Sequence, residues 1–284
     1  MTTPALELRS GALHLSLRPD LGGCIEGLWH HNVPVLQSSA PGTLRNVRQS
    51  GSYPLVPFSN RVAQAQLQWD GTAHPLVKNF AGEDHSIHGV GWLRPWEVLE
   101  ADSKFAMLSL EHRADSAWPF AFDASQTFRL SDDELELTLS ITNQSPTDAP
   151  VGLGWHPYFV KRAHSRIAFA AQGRWEMSTD KLPTHRIPVS GLDADCAQLD
   201  VDHCFDGWSG DVHLRDELFH IHLQSSLRRL VVFTNDKKDT IAVEPVSHVN
   251  NAMNQDARAQ ELGVVVLGAG QSWSATMTLT IQTL

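Results

Sequence analysis

The sequence predicts an all-β fold, an antiparallel sandwich with few short helices, on three observations. Apolar residues recur at every second position in several segments, clusters of turn-forming residues separate these segments, and sustained helical periodicity is nearly absent. Leu13, Leu15 and Leu17 alternate with His14, Ser16 and Arg18, and Arg18-Pro19-Asp20 ends the run. From Gln126 to Ile141 the pattern is that of a hairpin. Its second arm alternates Leu135, Leu137, Leu139 and Ile141 with polar residues, and Ser131-Asp132-Asp133-Glu134 supplies the loop. Asn143-Gln144-Ser145-Pro146 and Asp206-Gly207 mark further turns. Phe219, Ile221 and Leu223 alternate with His220, His222 and Gln224, and a last strand carries Trp273, Ala275, Met277, Leu279 and Ile281. The best helical candidate is Asn254 to Leu262, a turn or two in length. No repeat, linker or shift in composition divides the chain, so one domain is expected over residues 1–284.

Composition bounds the function. The 284 residues are enough for a sizeable core, with 42% apolar and 19% charged residues. A formal net charge of −10 argues against nucleic acid and against an anionic membrane surface, both of which call for a basic face. Met1 to Asp20 lacks the basic start and apolar run of a signal peptide, and Val264 to Leu267 is far too short to cross a bilayer. Cys24, Cys196 and Cys204 are an odd number without metal-type spacing, which suggests free thiols in a reducing cytoplasm. Nine tryptophans accompany only two tyrosines; tryptophan faces can stack on sugars but more often fill a core.

Five places set polar residues in unusual surroundings. Tyr53 to Arg61 is an apolar run bracketed by prolines and ending in Asn60-Arg61, where Arg61 could bind hydroxyls or form a structural salt bridge. His85-Ser86-Ile87-His88-Gly89 pairs two histidines before a glycine that permits close approach, with Trp92 and Trp96 expected in the core. His156 lies in the aromatic run Gly152 to Phe159, as a proton-transfer group or a core histidine. Asp202 can accept from a hydroxyl or cap a turn before Asp206-Gly207. Glu244 ends the apolar run Ile241-Ala242-Val243, where a carboxylate is costly unless used or paired, Arg61 being one potential partner.

In this order the five blocks resemble the aldose 1-epimerase family, which includes galactose mutarotase. The resemblance runs from about Gly22 to the C-terminus and rests on Asn60-Arg61, His88-Gly89, His156-Pro157-Tyr158-Phe159, Asp202 and Glu244 together. It implies a β-supersandwich with a polar cleft and a cofactor-free, metal-free exchange of the α and β anomers of a free monosaccharide. Carried over by motif, Glu244 is the general base, His156 the general acid, His88 and Arg61 orient substrate and stabilise charge, and Asp202 binds a sugar hydroxyl. Asn60 and His85 lie in matching blocks as further substrate ligands. Base and acid are expected on opposite sides of the C1–O5 bond. Pro245 after Glu244 and Trp155 before His156 depart from galactose-specific relatives and point to the compact bacterial branch. Rival readings are a metal site built from His88, His156 and Glu244 or from His220 and His222, and a non-catalytic sugar-binding module. A variant acting on phosphorylated sugars would call for arginines such as Arg45, Arg48 and Arg61 in one pocket. The enzyme is expected to be cytoplasmic and a monomer or homodimer.

Overall fold

A computed structural model describes residues 5–255 and 258–284. The fold is an antiparallel β-sandwich. One large sheet has nine strands in the order Glu97–Ala101, Phe105–His112, Phe122–Leu130, Glu134–Asn143, Ser272–Thr283, Phe219–Ser225, Asp211–Arg215, Arg166–Ala170 and Gly191–Asp195. The predicted hairpin supplies its third and fourth strands: Leu130 pairs with Leu135 and Phe128 with Leu137, and Ser131 to Glu134 turn the chain. Along Glu134–Asn143 buried and half-buried residues alternate without a break, which is the period-two signal read in the sequence.

The other large sheet carries the functional face. Its order is Pro183–Pro188, Gly173–Met177, Val201–Asp206, Arg229–Thr234, Thr240–Val246, Gly154–Trp155 and Pro54–Leu55, with Tyr158–Val160 also paired to Thr240–Val246. Ile241 and Val243 turn into a continuous apolar core shared with Phe128, Leu137 and Leu279 of the nine-stranded sheet. The residues that alternate with them along the strand, Ala242 and Glu244, must therefore face the other way.

Helical structure among the described residues is confined to short 3₁₀ turns such as Val47–Gln49 and Gly91–Leu93. Part of the helix expected at Asn254 to Leu262 lies outside the described residues; a 3₁₀ turn, Ala252–Asn254, is what the preceding chain forms. Trp92 and Trp96 are core residues as expected, each indole N–H donating to a nearby backbone carbonyl. All three cysteines are buried and free. No helix among the described residues is long and apolar enough to cross a membrane.

Candidate active site

Cross-strand register builds the centre of the site. Gly154 pairs with Val246 and Tyr158 with Ala242, while the chain between them breaks at His156-Pro157. That register sets His156 opposite Glu244, two positions from each flanking pair. In antiparallel ladders, directly paired residues point to the same face. Asp202, Phe233, Ala242 and Tyr158 thus form one row across four strands, with Glu244 two residues further along the same face.

A second unit supplies the opposite wall. The two-residue strands Arg61–Val62 and Ser86–Ile87 pair, which brings Asn60 beside His88. The Asn60 N–H donates to His88 Nδ1 at 3.1 Å, and the His88 N–H donates to the Asn60 carbonyl at 2.8 Å. Both residues hold positive φ, at 54° and 61°, a costly backbone state that is common at functional sites. Asn79 clamps the loop by bonding the backbone of Ile87 through both side-chain groups and the carbonyl of Gly89.

These units enclose a cleft of about 440 Å³, within the usual range of small-molecule sites. Asn60, Arg61, His88, His156, Asp202 and Glu244 all line it. At its floor, His156 Nε2 lies 3.2 Å from Glu244 Oε1 and 3.4 Å from the Tyr158 hydroxyl. Glu244 is 3% exposed and His156 6%. Neither Glu244 Oε2 nor His156 Nδ1 has a hydrogen-bond partner, a deficit that a fold tolerates where function needs it. Tyr53 and Tyr158 flank the His156 ring, at centroid distances of 4.7 and 4.4 Å.

Burial dominates the electrostatics. It raises the Glu244 carboxyl well above its ordinary range; nearby Asp202 pushes the same way, and Arg61 opposes. Burial likewise lowers His156, and it lowers His88 with help from the charges of His156 and Arg61. With Asn60 donating to Nδ1, the neutral His88 ring carries its proton on Nε2 and is a hydrogen-bond donor at the cleft.

Several expectations need correction. Arg61 is not the partner of Glu244: its guanidinium holds Glu83 in a bidentate pair at 2.7 and 3.2 Å and reaches Asn60 Oδ1 at 3.2 Å. The Arg61 hydrogen bond keeps Glu83 below the ordinary carboxylate range. Asp202 faces the cleft but pairs with Lys181 at 2.9 Å. His85 is not among the lining side chains. Its Nδ1 accepts from the Gln64 N–H, and its Nε2–H donates to the Asp180 carbonyl, so both nitrogens hold loops in place. Gly89 makes room for the backbone of Val56, not for a ligand: a Cβ there would sit 2.3 Å from the Val56 carbonyl oxygen. Glu244 and His156 touch, whereas base and acid were expected across a gap.

Sequence reasoning passed over Tyr53, Tyr158, Glu83 and Asn79. The tyrosines had a signal, since the only two in the chain fall inside the singled-out blocks and both line the cleft. Glu83 and Asn79 had none, because their roles depend on a loop closing over Arg61 and Ile87. As for the metal reading, no three histidine, cysteine or carboxylate side chains among the described residues are arranged to hold an ion.

The sandwich and its polar cleft define a class, the galactose mutarotase-like folds. A family model described as aldose 1-epimerase matches residues 4–280, and the chain belongs to that family. It is 31% identical to the uncharacterised Escherichia coli protein YphB, across 97% of this chain and 98% of that one. A crystal structure of an Escherichia coli K12 protein named as a candidate aldose 1-epimerase superposes with a TM-score of 0.89 at 28% identity, covering 99% of both chains. A galactose mutarotase-like protein from Clostridium acetobutylicum shares the fold, with a TM-score of 0.85 at 18% identity over 98% of this chain and 95% of that one. Membership supports an isomerase-type enzyme of carbohydrate chemistry.

Proposed function

We propose that the protein is an aldose 1-epimerase that interconverts the α and β anomers of an aldose by acid–base ring opening and closure. The observation that carries this reading is the buried contact between Glu244 and His156 on the floor of the cleft.

Ring opening must take a proton from the C1 hydroxyl and give one to the ring oxygen. Both oxygens are bonded to C1, so they are neighbours in space. An acid and a base lying side by side can therefore serve them together, which fits the contact better than groups on opposite sides of the bond. Burial disfavours both a lone carboxylate and a lone imidazolium, so the pair keeps one proton between them across neutral pH. One shared proton supplies one donor and one acceptor. Burial favours the proton on Glu244, and its transfer across the 3.2 Å contact to His156 gives the working form. In that form Glu244 takes the C1 hydroxyl proton as base while His156 protonates the ring oxygen as acid; closure reverses both transfers on the other face of C1. His88 Nε2–H and Arg61 donate to sugar oxygens, and Asp202 and Asn60 accept from hydroxyls. Each positioned acid or base typically contributes about 10²–10⁴-fold. No bond to the protein forms, so the reaction needs no nucleophile.

The test is polarimetric equilibration of freshly dissolved α-anomers across a panel of aldoses. Glu244→Gln and His156→Asn are each expected to lose at least about 100-fold in turnover while keeping the wild-type circular dichroism spectrum. Near-wild-type rates in either variant would remove these roles. Binding of sugars without acceleration by the wild type would favour a sugar-binding module instead.

A further inference from the structure

The charges around the cleft exceed what a neutral sugar requires. Three carboxylates line it, and none presents a free negative charge. Glu83 is held by Arg61 at 2.7 Å, Asp202 by Lys181 at 2.9 Å, and Glu244 is buried against His156. Two lining cations, Arg48 and Lys238, have no such counterpart. Asp236 and Asp239 flank Lys238 in sequence, yet neither cation makes an ion pair with a carboxylate among the described residues. The imbalance is local and runs against the whole molecule, whose formal net charge is −10.

Both cations are set by aromatic rings that also line the cleft. The Arg48 guanidinium lies 3.9 Å from the centroid of Phe80, and the Lys238 ammonium 5.2 Å from that of Phe233. Arg48 belongs to the 3₁₀ turn Val47–Gln49, whose N-cap Asn46 accepts from the Arg48 N–H at 3.0 Å. Lys238 sits on the turn between Arg229–Thr234 and Thr240–Val246, the strand of Glu244. Arg48 is also electrostatically close to the floor: burial pushes Tyr158 up to about 12, and the Arg48 charge opposes that shift. Arg45, by contrast, is absent from the lining and bonds the carbonyls of Gly42 and Leu44.

We propose that the cleft selects an aldose carrying an anionic substituent, a phosphate, carboxylate or sulfonate, which Arg48 and Lys238 bind while C1 lies at Glu244 and His156. The proposal rests on the reading of the cleft as an anomer-exchanging site. Arg48 brings a planar fork suited to paired oxygens, and Lys238 a mobile point charge. Their side chains are exposed, so the attraction is salt-sensitive and acts on KM more than on turnover.

The test compares anomer exchange, followed by NMR, for a neutral aldohexose, its 6-phosphate, its 6-sulfonate and the matching hexuronate. An anionic sugar is expected to show kcat/KM at least about tenfold above the neutral one, through lower KM. That ratio is expected to shrink towards one in the Arg48→Gln/Lys238→Gln double variant and, for the wild type, in about 0.5 M NaCl. The phosphate, sulfonate and carboxylate arms identify which anion is read. Neutral sugars exchanged as well as every anionic one would overturn the selectivity while leaving the epimerase reading intact. A preference that survives in the folded double variant would overturn the assignment to these two residues. Lack of turnover on every sugar would remove both readings.

Discussion

The contact between Glu244 and His156 makes a definite statement about pH. Removing the shared proton leaves a buried carboxylate, and adding a second leaves a buried imidazolium. Burial penalises both, so the acid limb of the rate profile moves below the ordinary histidine value of 6.5, and the alkaline limb moves far above the ordinary glutamate value of 4.5. We expect kcat/KM for a neutral sugar to be nearly flat over roughly pH 5–8. A single inflection near 6.5 would mean that His156 titrates as an ordinary, solvated imidazole. His88 reinforces the expectation, since its ring is also held neutral by burial and presents Nε2–H rather than a titrating charge.

At the level of elements, the site depends on short pieces of chain held in unfavourable conformations. The loop carrying His88 is fixed by the Asn60 bonds, by Asn79, and by Gly89 against the backbone of Val56. Gly89 has φ of 70°, and a Cβ would lie 2.3 Å from the Val56 oxygen, so the substitution Gly89→Ala brings strain and a clash together. It is expected to cost about 2–4 kcal/mol of stability and to displace the donor of His88. Urea unfolding measures the first effect, and KM for the preferred sugar the second. A variant with wild-type stability would show that the loop relaxes without cost. The long strands were legible in the sequence because ten alternating residues, as in Glu134–Asn143, overwhelm any competing pattern. Gly154–Trp155, Arg61–Val62 and Ser86–Ile87 were not, since two residues carry no period. Yet these fragments hold His156, Arg61 and His88 in place.

For the whole molecule, buried neutral histidines couple folding to acidity. His88, His156 and His248 all have depressed values, His248 at about 4, because burial resists their charging. The unfolded chain takes up these protons from about 6.5 downward while the native state does not, so the stability they contribute is full above 6.5 and is lost as pH falls. Each is worth about 1.4 kcal/mol per pH unit in that window. Glu244 has the opposite sign: its raised value favours the native state at low pH, and that contribution fades as pH rises above 4.5. Three groups outweigh one. Calorimetry is expected to give a melting temperature roughly 5–10 °C lower at pH 5 than at pH 7. An equal or higher value at pH 5 would refute the linkage.

By itself, the sequence determined the fold class and the five segments around which the cleft is built. Alternation fixes which residues are buried, and a glutamate or histidine inside an apolar run stands out without coordinates. Only the tertiary structure decided how the charges are paired. Arg61 pairs with Glu83 rather than Glu244, Asp202 with Lys181, His85 with two backbone groups, and Glu244 with His156. Those pairings depend on register between strands far apart in the chain, where one residue of slip turns every side chain to the other face.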